Sequence, residues 1–279
     1  MRLPQIDREA NKYTRGSLLI VAGSVRFPGA AILSTLAAER AGAGYTALAI
    51  PAPVANVAQT YLLSSVVIAA TETNGAFAAY ALDEVLPRLR HIDAVLAGPG
   101  LTVTESTGAL LNDLFNRVAC PLVLDADALN LLGEPGPTGR PLWQSLPKGT
   151  ILTPHKGEFE RLLQVTDAKT ADELAELLDA VVVLKSHETQ VHSPDPRIAT
   201  FEYRDGTPAL AKAGTGDVLA GIIASLLAQG AKTFDAAVLG VQLHGSAGRL
   251  AEINGSRRAV VARDVIDILP MTIREFEGC

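Results

Sequence analysis

The chain has 279 residues, 48% of them hydrophobic, with 24 Lys and Arg against 30 Asp and Glu and a formal charge of −6. That length and hydrophobicity bury a large core and fit one α/β domain of roughly 250–300 residues. The acidic balance without a basic block argues against a nucleic-acid partner, and no apolar stretch reaches the roughly 20 residues that span a bilayer.

The start, MRLPQIDREANKYTRG, has no apolar signal core, so a cytoplasmic location is expected. Short apolar runs follow at 17–23, 45–50, 65–70, 93–98, 121–126, 150–154 and 181–186. They are continuous rather than alternating, as strands covered on both faces should be. Helical spacing falls between them at 29–42, 74–89, 104–117, 156–164 and 170–180. The βαβα order predicts a mostly parallel, doubly wound sheet with helices on both faces. TQVHSP and IATFEYRDG then read as two antiparallel strands, before helices at about 215–229, 234–252 and 262–276. GEPGPTGRP (133–141) is a surface loop rather than a boundary. Cys120 and Cys279 fit neither a metal motif nor a disulfide framework. Cys120 is expected in the core of an apolar strand, and Cys279 as a mobile end.

Ligands of such sheets bind at the C-terminal ends of the strands. Five strand ends carry small or polar residues: Gly23-Ser24, Gly98-Pro99-Gly100, Asp125-Ala126-Asp127, Thr153-Pro154-His155 and Lys185-Ser186-His187. Together they predict one long cleft.

The stretch AKAGTGDVLAGIIASLLAQG (211–230) puts glycines and an acid at a helix start. Unpaired N–H groups and the dipole make Gly214, Thr215 and Gly216 an anion hole. Asp217 beside it repels phosphate, unless it is the base that deprotonates a hydroxyl attacking that phosphate. A helix-capping role is the plain alternative. Asp125 and Asp127 invite a metal reading. Alternating acids on a strand point to opposite faces, so one is expected to order the site or a hydrated magnesium ion and the other to cap the next helix. Asn130 is expected to help fix that loop.

AGTGDVLAGII, VLDADALNLL, ILTPHKGEFERLL, DAVLAGPGL and the segment 16–45 resemble, in order, the blocks of the ADP/ATP-dependent NAD(P)H-hydrate dehydratases of the ribokinase-like superfamily. The resemblance covers about residues 15–250. It implies that hydrated NADH or NADPH is repaired by phosphorylation of its ring hydroxyl with ADP or ATP, with Mg2+, followed by loss of phosphate. It places the hydrate against Ala43, Gly100, His155 and Asp217. It places the nucleotide against Lys185, Ser186, His187, Glu188, Thr189 and Gly216. A tetramer is implied by bacterial members. The chain begins close to the dehydratase blocks, so a single domain without epimerase activity is expected, with a separate epimerase serving the same substrate pool.

Lys156, Ser186, His187, Lys212 and Ala213 depart from the family pattern. Lys156 and Lys212 are candidate cations near phosphates, Lys156 alternatively a solvated side chain. A kinase for a small alcohol shares the Gly-x-Gly-Asp turn and is the second reading. A non-catalytic nucleotide-binding protein is the third, and the retained Asp217 argues against it.

Overall fold

The computed structural model describes residues 1–136 and 138–278; Cys279 lies outside them. The strands are β1 (Ser17–Val21), β2 (Tyr45–Pro51), β3 (Val66–Ala70), β4 (Glu72–Thr73), β5 (Ala76–Phe77), β6 (Ala94–Ala97), β7 (Leu122–Leu124), β8 (Ile151–Leu152), β9 (Val181–Leu184), β10 (Thr189–His192) and β11 (Phe201–Tyr203). The helices are α1 (Pro28–Arg40), α2 (Ala52–Tyr61), α3 (Leu82–Val85), α4 (Glu105–Arg117), α5 (Asp127–Leu131), α6 (Lys156–Thr166), α7 (Ala171–Leu178), α8 (Thr215–Ala228), α9 (Thr233–Asn254) and α10 (Ala262–Glu277). Among these residues no helix is long and apolar enough to cross a membrane.

Nine strands form one sheet in the order β11-β10-β9-β8-β7-β6-β1-β2-β3. Every pair from β9 to β3 is parallel, and β9-β10 and β10-β11 are antiparallel. The predicted doubly wound sheet is therefore the observed one. Successive side chains of a strand point to opposite faces. Leu18 and Ile20 accordingly enter one apolar layer and Leu19 and Val21 the other. The first layer is covered by α1, α2, α8, α9 and α10, the second by α3 to α7. The five strands whose ends read as polar, β9, β8, β7, β6 and β1, are contiguous in the sheet.

Three expectations are corrected. The predicted helix at 74–89 is a β4-β5 hairpin followed by α3 and a 3-10 turn at Leu86–Arg88. Asn74 and Gly75 both have positive φ, 53° and 81°, and Asn-Gly is the strongest short hairpin signal. Helix α2 was not expected. Pro51 is its N-cap and Pro53 lies in its first turn, where a missing N–H costs nothing. Cys120 precedes β7 rather than lying within it and is only partly buried. Burial pushes its thiol up to about 11, which makes it a poor nucleophile at neutral pH.

Helix α8 is buried almost all round and crosses α1 closely. A Cβ on Gly221 would fall 2.2 Å from the Ser34 carbonyl oxygen. Gly221→Ala should therefore destabilise the fold by about 1–3 kcal/mol. Gly29→Ala, in the first turn of α1, meets nothing within 4 Å and should stabilise by up to ~1 kcal/mol. Urea midpoints of the two variants should move in opposite directions.

Candidate functional site

The start of α8 lies at the C-terminal side of the sheet. Gly214 is its N-cap with φ 90°, and no side chain caps the helix. A Cβ at Gly214 would also strike Leu33 Cδ1 at 2.7 Å, so the position demands glycine twice over. Thr215 Oγ1 donates to the carbonyls of Leu210 and Lys212 at 2.7 and 2.8 Å. Its hydroxyl braces the turn, and its N–H donates to the Lys212 carbonyl at 3.4 Å. Gly216 has no side chain between its backbone and Lys185, whose Nζ lies 3.4 Å from where a Cβ would stand. Asp217 sits in the first turn without a capping box, so its carboxylate is not occupied in capping α8.

Lys185, at the end of β9, is the charge around which the site is arranged. Its Nζ donates to Asp125 Oδ1 at 2.7 Å and lies 3.9 Å from Glu158 Oε2. Burial opposes its charge, but Asp125, Glu158 and Asp217 hold its ammonium above the ordinary lysine range. Thr153 Oγ1 also donates to Asp125 Oδ1, at 2.7 Å. Burial raises the Glu158 carboxyl, and Lys185 pulls it back. Burial, then Asp125, raise Asp217 from 3.8 to about 7; Asp127 and Glu158 add to this and Lys185 offsets part of it.

The alternation argument for Asp125 and Asp127 does not hold. Strand β7 ends at Leu124, and Ala126 turns the chain with φ 53° and ψ −118°. Asp125 reaches Lys185, while Asp127 Oδ2 accepts from the Thr102 N–H at 2.8 Å. Asp127 begins α5 but makes no cap there. Both acids still act on Asp217. Asn130 Oδ1 accepts from Arg161 Nε at 3.0 Å, tying α5 to α6. Among the described residues no three His, Cys, Asp or Glu side chains group as a metal cage.

His155 is first a helix cap. Its Nδ1 accepts from the Gly157 and Glu158 N–H groups at 3.0 and 3.3 Å, and its Nε2 lies 3.2 Å from Glu158 Oε1. The ring is half-exposed, and the His155 backbone forms a β-bridge with that of Lys185. Gly100 has φ 66° and abuts the Phe27 carbonyl oxygen, 2.7 Å from where a Cβ would stand. Ser186 to Thr189 form a turn closed on itself: Ser186 Oγ donates to the Glu188 carbonyl at 2.6 Å, and Thr189 Oγ1 to the Ser186 carbonyl at 3.0 Å. Lys185, Ser186, His187, Thr189 and Gly216 line a cavity of about 470 Å³ with Tyr203, Leu210, Val241 and His244. Glu188 is exposed and does not line it.

Two placements differ from expectation, those of Ala43 and Lys212. The Ala43 N–H donates to Ser225 Oγ at 2.9 Å. Ser225 is more than two turns beyond Asp217 along α8, about 12 Å at the helical rise. Ala43 lines a separate hollow with Glu39, Arg40 and Tyr61, because α1 returns the chain to the N-terminal edge of the sheet before it. Lys212 Nζ donates to the Arg258 carbonyl, so its charge is drawn to the loop before α10. Lys156 takes the solvated alternative of its two expected placements, 3.9 Å from Glu160. Glu158, Tyr203 and His244 escaped the sequence reading. Glu158 was legible as the acid of TPHKGE, and His244 as the one imidazole in the apolar run of α9.

The sheet order and the glycine-opened helix define a ribokinase-like α/β protein. The NAD(P)H-hydrate dehydratase model matches residues 18–271, and the chain belongs to that family. It is 37% identical to the bifunctional NAD(P)H-hydrate repair enzyme of Moorella thermoacetica over 99% of this chain and 52% of that one. The chain thus spans about half the length of such curated relatives. It is 38% identical to the ADP-dependent (S)-NAD(P)H-hydrate dehydratase of Neisseria meningitidis, over 88% of this chain and 82% of that one. The Bacillus subtilis ADP/ATP-dependent NAD(P)H-hydrate dehydratase, co-crystallized with ATP/Mg2+, superposes with TM-score 0.80 at 31% identity, over 99% and 95% of the two chains.

The raised Asp217 carboxyl has a consequence for stability. Folding holds its proton up to about pH 7 against an ordinary value of 3.8. The folded state therefore binds more protons between those values, and stability falls as pH rises through that window. Asp217→Asn removes this term. Its gain in stability over the parent should be absent at pH 3, grow between pH 4 and 7, and level off above, at no more than about 4 kcal/mol. Denaturant unfolding across that range measures it.

Proposed function

We infer that this cleft moves a phosphoryl group from an adenine nucleotide to the ring hydroxyl of hydrated NADH or NADPH, and that loss of phosphate then restores the coenzyme. The observation that carries the reading is a carboxyl raised to about 7 beside a helix start bare of side chains. A base acting at neutral pH needs such a value, and a phosphoryl group needs such a turn.

The nucleotide lies in the cavity between the 186–189 turn and α9, its terminal phosphate on the Gly214–Asp217 amides. Lys185 supplies a point charge there. The hydrate lies toward Gly100 and His155. Asp217 takes the hydroxyl proton as that oxygen bonds to the terminal phosphorus, and AMP leaves from ADP, or ADP from ATP. The ring C–O bond then breaks with its electron pair on phosphate. The neighbouring ring carbon gives up a proton, which closes the double bond. The relatives' names support ADP or ATP as donor.

Magnesium fits this arrangement as an ion carried by the phosphates. Such ions keep several waters and need only one or two carboxylates. Asp125 is engaged by Lys185 and Thr153, and both oxygens of Glu158 by His155, so Asp127, of which only Oδ2 accepts a hydrogen bond among the described residues, is the acid that would support it. Bound magnesium neutralises phosphate charge. A kinase for a small alcohol shares the base and the turn; its product keeps the phosphate, whereas here inorganic phosphate is released.

Purified protein with hydrated NADH and ADP or ATP should restore the absorbance of reduced nicotinamide. The base works only when ionised, so kcat/KM should rise with pH through about 7. Asp217→Asn should lower kcat by about 10²–10⁴-fold and flatten that limb. Turnover by the variant near the parent rate would show that the carboxylate is not the base.

A further inference from the structure

Arg161 is an exposed residue of α6, the helix that His155 caps. Its Nε donates to Asn130 Oδ1 at 3.0 Å, and Asn130 is its one hydrogen-bond partner among the described residues. Both terminal nitrogens of the guanidinium are therefore free. Arg117, Arg197 and Arg257 each lie 2.6–2.7 Å from a carboxylate. Arg161 pairs with an amide instead.

The group is also fixed in direction. Gly157 has no side chain, and around the place a Cβ would take there stand His155 Cε1 at 3.2 Å and Arg161 Nη1 at 3.7 Å. The guanidinium and the imidazole thus border one spot. Asn130 follows Asp127 on α5, so its bond ties Arg161 to the turn at the end of β7. The strand order β8-β7-β6 puts His155, Asp127 and Gly100 in line across the sheet. Arg161 therefore stands at the rim of the Gly100–His155 end of the cleft.

That end is short of positive charge. Asp127 and Glu158 lie there, Lys185 is paired with Asp125, and Lys156 is turned toward Glu160. A hydrated coenzyme carries a pyrophosphate, and its NADPH form a 2′-phosphate as well. An acidic cleft repels such a ligand unless a cation meets it. A guanidinium held by its Nε presents its other nitrogens to phosphate oxygens, and it loses less side-chain freedom on binding than a loose one. The rim is the right place, because only the nicotinamide ring has to reach Asp217.

We propose that Arg161 is a specificity-determining residue, whose guanidinium binds a phosphate of the hydrated coenzyme at the mouth of the cleft. The assignment rests on the reading of the Gly100–His155 end as the hydrate site. Two groups share the required chemistry: the pyrophosphate, and the 2′-phosphate of the NADPH form.

Steady-state kinetics of the whole chain on NADH hydrate and NADPH hydrate, at saturating nucleotide, separate them. Arg161→Gln removes the charge and the fork. It should raise the hydrate KM by about tenfold and leave kcat within about twofold of the parent. A rise for both hydrates identifies the pyrophosphate, and a rise for NADPH hydrate alone the 2′-phosphate. Arg161→Lys, which keeps the charge without the fork, should recover part of the affinity. The parent's KM should climb with added salt more steeply than that of Arg161→Gln. An unchanged KM for both hydrates in Arg161→Gln, or a rise for NADH hydrate alone, overturns the role and leaves the proposed reaction standing. So does a fall in kcat larger than the rise in KM, which marks a displaced His155 rather than a lost substrate contact. An equal rise in the nucleotide KM overturns it as well. A parent that turns over neither hydrate overturns the proposed reaction together with the role.

Discussion

One buried cation among four carboxylates sets the character of this site. Lys185 pairs with Asp125 at 2.7 Å, and Asp127, Glu158 and Asp217 contribute to the same field. A single positive charge cannot neutralise that ring. Asp125, Asp127 and Glu158 each accept a hydrogen bond; Asp217 accepts none among the described residues and carries the surplus. The dipole of α8 acts the other way, since a helix start favours an anion by about 0.3–1 kcal/mol. A rise from 3.8 to about 7 corresponds to roughly 4 kcal/mol. Burial and neighbouring carboxylates therefore outweigh the dipole, which is why an acid at a helix start holds its proton to near neutral pH.

That balance depends on strand order. The ends of β7, β8 and β9 bring Asp125, Thr153 and Lys185 together only because those strands are neighbours in the sheet. Ala126 completes the arrangement at a local cost. Its φ of 53° and ψ of −118° lie where a non-glycine residue is strained by about 1–3 kcal/mol. The turn it makes sends Asp125 toward Lys185 and Asp127 toward the Thr102 N–H. A relaxed strand would have sent them to opposite faces of the sheet.

The same residue marks where sequence reasoning stops. Polar strand ends and the Gly-Thr-Gly-Asp turn were legible, because each carries its meaning in a few adjacent residues. The pairing of Asp125 with Lys185 joins positions sixty residues apart, and no periodicity encodes it. Residue type also failed to predict direction. Lys212 lies next to the Gly-Thr-Gly-Asp turn in sequence, yet its side chain turns away to Arg258. Ala43 follows α1, and the length of that helix carries it to the other edge of the sheet. The error at 74–89 was of another kind: Asn74-Gly75 is a readable hairpin signal in two adjacent residues.

Helix α9 shows how distant glycines shape the pocket. Gly240 admits Ile223 of α8, Gly245 admits the Tyr203 ring, and Gly248 admits Leu210, each at 2.2–2.7 Å from an imagined Cβ. The three close approaches pull α8, β11 and the turn before α8 onto one helix face. The apolar end of the cavity is what remains between them, with Tyr203 and Leu210 as walls and Leu219 and Val241 also in its lining. A side chain at Gly245 or Gly248 would displace Tyr203 or Leu210, walls of the cavity, and one at Gly240 would push α9 away from Ile223 of α8. The charged end is thus set by strand order and the apolar end by missing side chains. Thr215 and Gly216, at the start of α8, are where the two meet.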